Sequence, residues 1–524
     1  MRVDFYWYGY RNFPYEKVLA QRELAALLGQ DPISTKDGLS VEAQDEWRNH
    51  AYRITYFREA IAADGSRVIP LQALLEALPG NKRNHRQSTR YSAHGIHDYK
   101  GKFNPQVVRA IGNLFGLEPG SWILDPFCGS GTTLLEAAHC GWNAIGVDLN
   151  PLAVLIAQAK IAAIHLPMAE LREQIDTFSE RLARRVNSVS FDTGFTDAQV
   201  QDIGGNGWET LLPSYEYLQS WFPESVLVQI SVILSEIGKI SSLEIQMILR
   251  VILSDILRQV SLQDPGDLRI RRRKSTFLNA PVIPLYLHSV RVKMETIVRA
   301  RHHITDTDTV QDALLWDSRC CASIVAQHVK FKDVKYFDAA ITSPPYATAL
   351  PYIDTQRLSL VLLGLITADK IHSTEKSLIG NREITTKERL NLEEAIETNA
   401  NQLPTECSEL CQKLRSSLDI ETDGFRRRNT PALLYKYLSD MKCMFNDVSN
   451  LLKSNAPFAV IVGRNSTQLG GQLLVIDTPY LLSLLAKESG FRVQENLELN
   501  TYQRYDIHRT HSIRSETLLI LRRG

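Results

Sequence analysis

Thr342-Ser343-Pro344-Pro345-Tyr346 is the stretch whose residue types and spacing point most directly to chemistry. It follows an apolar run, Tyr336-Phe337-Asp338-Ala339-Ala340-Ile341, that reads as a buried strand. Neither proline has an N–H and each fixes its own φ, so the strand must end there in a rigid turn. A small hydroxyl flanks the prolines on one side and a flat aromatic ring on the other. That set suits gripping a planar, amino-bearing ring, with a nucleobase as the obvious candidate. A proline turn that merely closes a strand has the same composition, so the rest of the chain must decide.

The second informative stretch is Trp122-Ile123-Leu124-Asp125-Pro126-Phe127-Cys128-Gly129-Ser130-Gly131-Thr132-Thr133. Ile123 and Leu124 end a short strand, Gly129 and Gly131 allow a tight turn and close approach by a ligand, and a helix begins near Leu134. A second strand, Asn143-Ala144-Ile145-Gly146-Val147, ends in Asp148, where a carboxylate suits hydrogen bonds from a ribose diol. The Gly-x-Gly-x-x-Gly spacing of a dinucleotide site is absent, which favours a nucleoside cofactor without a pyrophosphate. A third strand over 312–317 would leave Asp317 at its carboxyl end, placed either to meet an adenine amino group or as a surface loop residue. A fourth strand ends at Ser343. Strand ends on one rim of a parallel sheet form a single site.

These motifs resemble those of the amino-group DNA methyltransferases, which use S-adenosylmethionine to methylate cytosine N4 or adenine N6. The Asp125 to Thr133 stretch is similar to the family's cofactor loop, and Thr342 to Tyr346 to its catalytic motif. His97-Asp98-Tyr99-Lys100-Gly101-Lys102-Phe103-Asn104-Pro105-Gln106 is similar to its cofactor-covering segment. The resemblance covers about 90–160 and 310–350, with weaker likeness to about 520. It implies an α/β, Rossmann-like class I methyltransferase fold: a seven-stranded sheet carrying large, mainly helical insertions. Its implied cofactor residues are Lys102, Phe103, Pro105, Asp125, Phe127, Gly129, Gly131, Thr132, Asp148 and Asp317. Its implied catalytic residues are Ser343, Pro344, Pro345 and Tyr346. The Ser343 hydroxyl and Pro344 carbonyl would accept the two amino hydrogens while Tyr346 stacks on the base, freeing a conjugated lone pair for methyl transfer. A base inside a duplex would have to flip out. Ser343 stands where adenine-specific members mostly carry Asp or Asn, which leans toward cytosine N4. The rival readings are an N6-adenine enzyme, an RNA methyltransferase and a catalytically dead DNA-binding protein.

The elements that position these residues occupy a long chain. At 524 residues it suggests two to four structural units, with 44% hydrophobic and 23% charged residues in an ordinary globular balance. No apolar run is long enough to span a bilayer, and the N-terminus lacks a signal peptide's pattern, so a cytoplasmic location is expected. The seven cysteines form no Cys-x-x-Cys pair, and no metal is expected. Lys+Arg and Asp+Glu are both 59, so phosphate binding must come from local basic runs. These are Lys82 to Arg90; Arg269, Arg271, Arg272, Arg273 and Lys274; and Arg426, Arg427 and Arg428. The last two are expected to contact double-stranded DNA, the partner the resemblance implies. Cognate restriction or defence-system proteins are further partners, and the oligomeric state is left open. The chain divides into an N-terminal aromatic and helical extension (1–80), a cofactor half (81–165) and a mainly helical insertion (166–309). Core strands with the catalytic motif (310–346), a second insertion (347–455) and C-terminal core strands with a helix (456–524) follow. Either insertion could read DNA, and Leu350 to Arg357 resembles the family's DNA-facing segment.

Overall fold

The computed structural model describes residues 1–44, 46–76, 87–186, 207–264, 266, 270–274, 280–304, 308–327, 334–347, 352–500 and 515–524. The basic residues 82–86, Arg269 and the segment 348–351 lie outside these. The chain opens with a five-stranded antiparallel sheet of order β2-β3-β1-β4-β5: β1 Arg2–Trp7, β2 Ile33–Ser34, β3 Gly38–Glu42, β4 Phe57–Ala62 and β5 Arg67–Val68. Sequence reasoning gave here only a helix and an aromatic cluster. These strands are two to six residues long, too short for alternation to stand out, and β1 pairs with a strand more than fifty residues away. The expected helix forms at Pro14–Leu28.

The central sheet has seven strands: β6 Trp122–Asp125, β7 Asn143–Asp148, β8 Gln311–Leu315, β9 Ala339–Thr342, β10 Pro457–Gly463, β13 Phe491–Asn500 and β14 Ser515–Arg523. A separate ribbon, β11 Asn465–Leu469 with β12 Gln472–Ile476, lies between β10 and β13 in the chain. The central order is β13-β14-β10-β9-β6-β7-β8. Its four pairings from β10 to β8 are parallel, and β14 runs antiparallel to both its neighbours. This is the class I methyltransferase strand arrangement implied by the motifs. The chain builds outward from β6 to β8, then returns to place β9 on the other side of β6. That reversal opens a crevice at the carboxyl ends of β6 and β9.

Both faces of the sheet are covered, so the inner strands read as continuous apolar runs. Phe458, Val460 and Val462 of β10 join one core, and Ala459 and Ile461 join the opposite one. The second core is continuous with Val3, Phe5 and Phe57 of the N-terminal sheet. The first insertion contributes helices Met168–Val186, Glu224–Ile237, Leu243–Val260 and Val282–Arg301, which pack with Pro151–His165 in a third core. The second contributes Thr386–Thr398, Thr405–Ser416 and Thr430–Ser449. Among the described residues no single helix is long and apolar enough to cross a membrane.

Candidate active site

The crevice at the strand reversal opens into a cleft, the usual place for a ligand on an open α/β sheet. Lys102, Phe103, Phe127, Gly129, Thr132 and Asp148 line it together with Ser343 and Pro345. Residues far apart in sequence thus share one wall-to-wall space.

The turn after β6 is built by its glycines. Gly129 has φ +48° and donates its N–H to Asp148 Oδ2 at 2.9 Å. Asp148 Oδ1 accepts from the Asn150 N–H at 2.8 Å, so the carboxylate is fixed beside the cleft. Burial pushes its pKa up to about 6, against the pull of these N–H groups. Gly131 has φ +75° and caps helix Thr132–Cys140; an added Cβ would sit 2.7 Å from Ala157 Cβ. Gly131 therefore serves helix packing rather than the cleft lining.

Sequence reasoning missed the residue that anchors this turn. Lys160, on helix Pro151–His165, is fully buried, and its ammonium donates to the Ser130 carbonyl at 2.7 Å and to Ser130 Oγ at 3.2 Å. Desolvation, then the nearby Lys102 charge, hold its pKa well below the ordinary value. A single lysine on an apolar helix gives no sequence signal of such a contact. Tyr99, Asn150, Trp316, Tyr352, Leu378 and Ile379 also line the cleft. Tyr99 and Tyr352 lie inside segments the motifs had marked. Leu378 and Ile379 come from a loop over thirty residues past the catalytic turn and carry no motif. That loop is pressed onto the turn at Gly380, which has φ +75° and where a Cβ would lie 2.9 Å from the Tyr346 carbonyl oxygen.

Four expected cofactor residues have other positions. Pro105 is the first residue of helix Pro105–Leu114, behind its Asn104 cap. Asp125 is buried below the cleft, where Oδ1 accepts from Thr342 Oγ1 at 2.6 Å and from the Phe127 N–H at 3.1 Å; burial lifts its pKa to about 6. It ties the end of β6 to the end of β9, joining the two motifs. Gly131 is described above. Asp317 is paired with Arg319 at 2.6 Å, while its neighbours Trp316 and Ser318 line the cleft. Lys102 does line it, with its ammonium donating to the Thr89 carbonyl at 2.8 Å and its pKa lowered by burial to about 8.

At the turn after β9, Ser343 Oγ donates to the Ile461 carbonyl of β10 at 3.1 Å. With its one hydrogen committed there, the hydroxyl can only accept hydrogen bonds from the cleft. Pro344 is buried, and neither it nor Tyr346 is among the residues lining the cleft. The Tyr346 hydroxyl donates to Glu516 on β14, and burial, then that carboxylate, raise its pKa.

The basic runs divide. Arg273 donates to the carbonyls of Gln263, Arg258 and Gln259 at 2.9, 3.3 and 2.6 Å, capping the end of helix Leu243–Val260. Arg272 lies over the Trp221 ring and bonds the Ser220 carbonyl. The expected phosphate clamp is thus partly a helix cap, because unpaired carbonyls at a helix end attract cations as phosphates do. Arg271 and Lys274 are exposed. Arg428 Nε donates to the Asp423 carbonyl at 2.8 Å. Arg426 and Arg427 line a second, wider cleft with Arg357, Glu375 and Arg382.

A buried cluster lies behind the cofactor half. Glu136 accepts from Arg109 Nε at 2.9 Å and Tyr91 at 2.8 Å and bonds His94 at 2.8 Å and His139 at 3.1 Å. His94, Glu136 and His139 converge as metal ligands could. The Arg109 guanidinium on the same carboxylate opposes a cation there, and the contacts pin residues 91–94 to helix Thr132–Cys140.

Comparison with known proteins agrees with this geometry. A family model described as DNA methylase, that of the N6/N4 methyltransferases, matches residues 24–159. The chain is 49% identical over 69 residues to Type II methyltransferase M.MjaII of Methanocaldococcus jannaschii, covering 13% of each chain. It is 23% identical over 305 residues to Type II methyltransferase M.MvaI of Kocuria varians, covering 56% of this chain and 63% of that one. It is 23% identical over 421 residues to Type II methyltransferase M.AvaI of Nostoc sp., covering 77% and 80%. The alignments span less than two thirds of the first two relatives' own length. These matches agree with the resemblance read from the motifs: over residues 24–159 the chain is similar to the N6/N4 DNA methylases, and over longer stretches to Type II methyltransferases.

Proposed function

We propose that the chain is an S-adenosylmethionine-dependent DNA methyltransferase that modifies cytosine N4, in a restriction–modification or other self-marking system. The observation that carries this reading is the shared cleft, in which Phe127, Gly129 and Asp148 face the same space as Ser343 and Pro345. The donor set fits the cofactor: a carboxylate for ribose hydroxyls, aromatic walls for its apolar parts, and a glycine turn that permits close approach. When bound, the cofactor supplies an electrophilic methyl group on a sulfonium centre.

This chain's residues prepare the amine. Ser343 accepts one amino hydrogen, since its own hydrogen is held by Ile461. The Pro344 carbonyl accepts the other, and the Tyr346 ring, steadied by Glu516, stacks on the extruded base. Both acceptors draw the nitrogen lone pair out of conjugation, and alignment supplies much of the rate. Ser343, in the place where adenine-specific members mostly carry Asp or Asn, supports cytosine as the base.

The test is methylation of duplex DNA, read by mass spectrometry of the nucleosides. N4-methylcytosine is expected, and N6-methyladenine as the sole product overturns the choice of base. Ser343→Ala and Tyr346→Ala should each lower kcat by about 10²-fold or more, with cofactor Kd nearly unchanged. Normal methylation by both variants sinks the assigned site.

A further inference from the structure

The ribbon of β11 and β12 leaves β10 directly at the catalytic rim. Asn465, its first residue, donates from Nδ2 to the carbonyl of Ala347, the residue after Tyr346, at 2.8 Å. The strands pair antiparallel around Gly470 and Gly471, whose φ values of +50° and +76° suit a two-residue hairpin turn. The Gly470 N–H donates to Asp423 Oδ2 at 2.8 Å, so the tip is fixed as well as the base. One face of the ribbon is inward: Leu469 and Ile476 are buried in the core. The opposite face is exposed. It carries the cross-strand pairs Ser466 with Val475 and Gln468 with Leu473, and Leu473 and Val475 are 72% and 62% exposed. No residue from 465 to 476 is charged.

We propose that this ribbon face lies in the major groove of the DNA substrate and reads base edges beside the extruded base. The proposal rests on the methyltransferase reading given above and adds the element that sets its sequence specificity. Size is the first argument. Five paired residues span roughly 17 Å and two strands lie about 4.8 Å apart, and a groove roughly 12 Å wide admits a two-stranded ribbon. Chemistry is the second. Gln and Ser side chains pair with donors and acceptors on base edges, and Leu or Val can meet a thymine methyl, whereas an uncharged face gains little from phosphates. Charge complementarity is the third. The short helix Phe425–Arg428 packs against β11 and carries exposed Arg426 and Arg427, the latter 3.9 Å from Asp423. Cations flanking a neutral reading face match phosphates flanking a groove.

The experiment maps methylated sites on genomic DNA for the full-length chain and for two double variants. Wild type is expected to give a defined motif. Gln468→Ala with Leu473→Ala should relax it, lowering the preference for motif sites over single-mismatch sites by about tenfold or more at one or two positions. Cofactor Kd should stay within about twofold. Arg426→Ala with Arg427→Ala should keep the motif and weaken binding to all sequences, with a salt dependence shallower by about two contacts. If the ribbon variant keeps the wild-type motif and rate, the proposal is overturned. A dimer that becomes monomeric in that variant, with the motif intact, also overturns it and assigns the face to a second copy of the chain. Wild type that methylates no DNA at all refutes the methyltransferase reading instead, so the two failures are distinct.

Discussion

The Ser343 hydroxyl and the Asp148 carboxylate are both fixed at the cleft by neighbouring backbone groups. Ile461 takes the hydroxyl's hydrogen, leaving an acceptor. The Gly129 and Asn150 N–H groups hold Asp148 at 2.9 and 2.8 Å. Burial raises its pKa from 3.8 to about 6. For folding, such a shift adds stability that is fully present below about 3.8 and is lost as pH rises through about 6. For the proposed cofactor contact the sign reverses, because the ionised carboxylate is the stronger acceptor for hydrogen bonds from ribose hydroxyls. Cofactor affinity should therefore fall about fourfold between pH 7.5 and 5.5, measured by calorimetry. Asp148→Asn should bind more weakly at pH 7.5 and lose that pH dependence. A wild-type profile flat across this range removes Asp148 from the cofactor's contacts.

At the scale of elements, the turn from Gly129 to Gly131 is held from below. The Lys160 ammonium reaches the Ser130 carbonyl from a neighbouring helix, and the Gly131 position lets that helix approach closely. Lys160→Met should leave the Ser130 carbonyl unpaired in the interior, costing about 1–3 kcal/mol, seen as a lower Tm. Freed from its tether, the turn should also raise cofactor Kd about tenfold, while kcat at saturating cofactor changes less. Unaltered Kd would mean that the turn holds its own shape. The Gly-Ser-Gly turn itself was legible, since glycine spacing is local. Lys160 was not, because a helix position reveals its partner only once helix and turn are packed. The same limit applies to Arg272 and Arg273, whose basic run read as a phosphate clamp until tertiary packing brought Trp221 and the end of helix Leu243–Val260 beneath it.

For the whole molecule, the N-terminal sheet and the central sheet share one core. Phe57 is fully buried and stacks on Trp7 with ring centroids 4.5 Å apart, in the cluster that also holds Ile111, Trp142 and Ile461. Phe57→Ala should cost about 3–5 kcal/mol. Calorimetry should show a single transition at lower Tm, with cofactor binding lost in the same transition. Two separated transitions would show that the N-terminal sheet folds as an independent unit. By itself, the amino-acid sequence marked the core strands, the glycine turn after β6, Asp148 and the Ser343 to Tyr346 turn, and its family resemblance implied the seven-stranded class I core. Those features are local: glycine and proline fix backbone angles, and apolar runs fix buried strands. Only the tertiary structure decided that Asp125 joins β6 to β9 and that Asp317 pairs with Arg319. It alone showed that Leu378 and Ile379 close the cleft and that residues 465–476 form an exposed ribbon beside it. Each of these is a contact between residues distant in the chain, and such contacts exist only after the layers have packed.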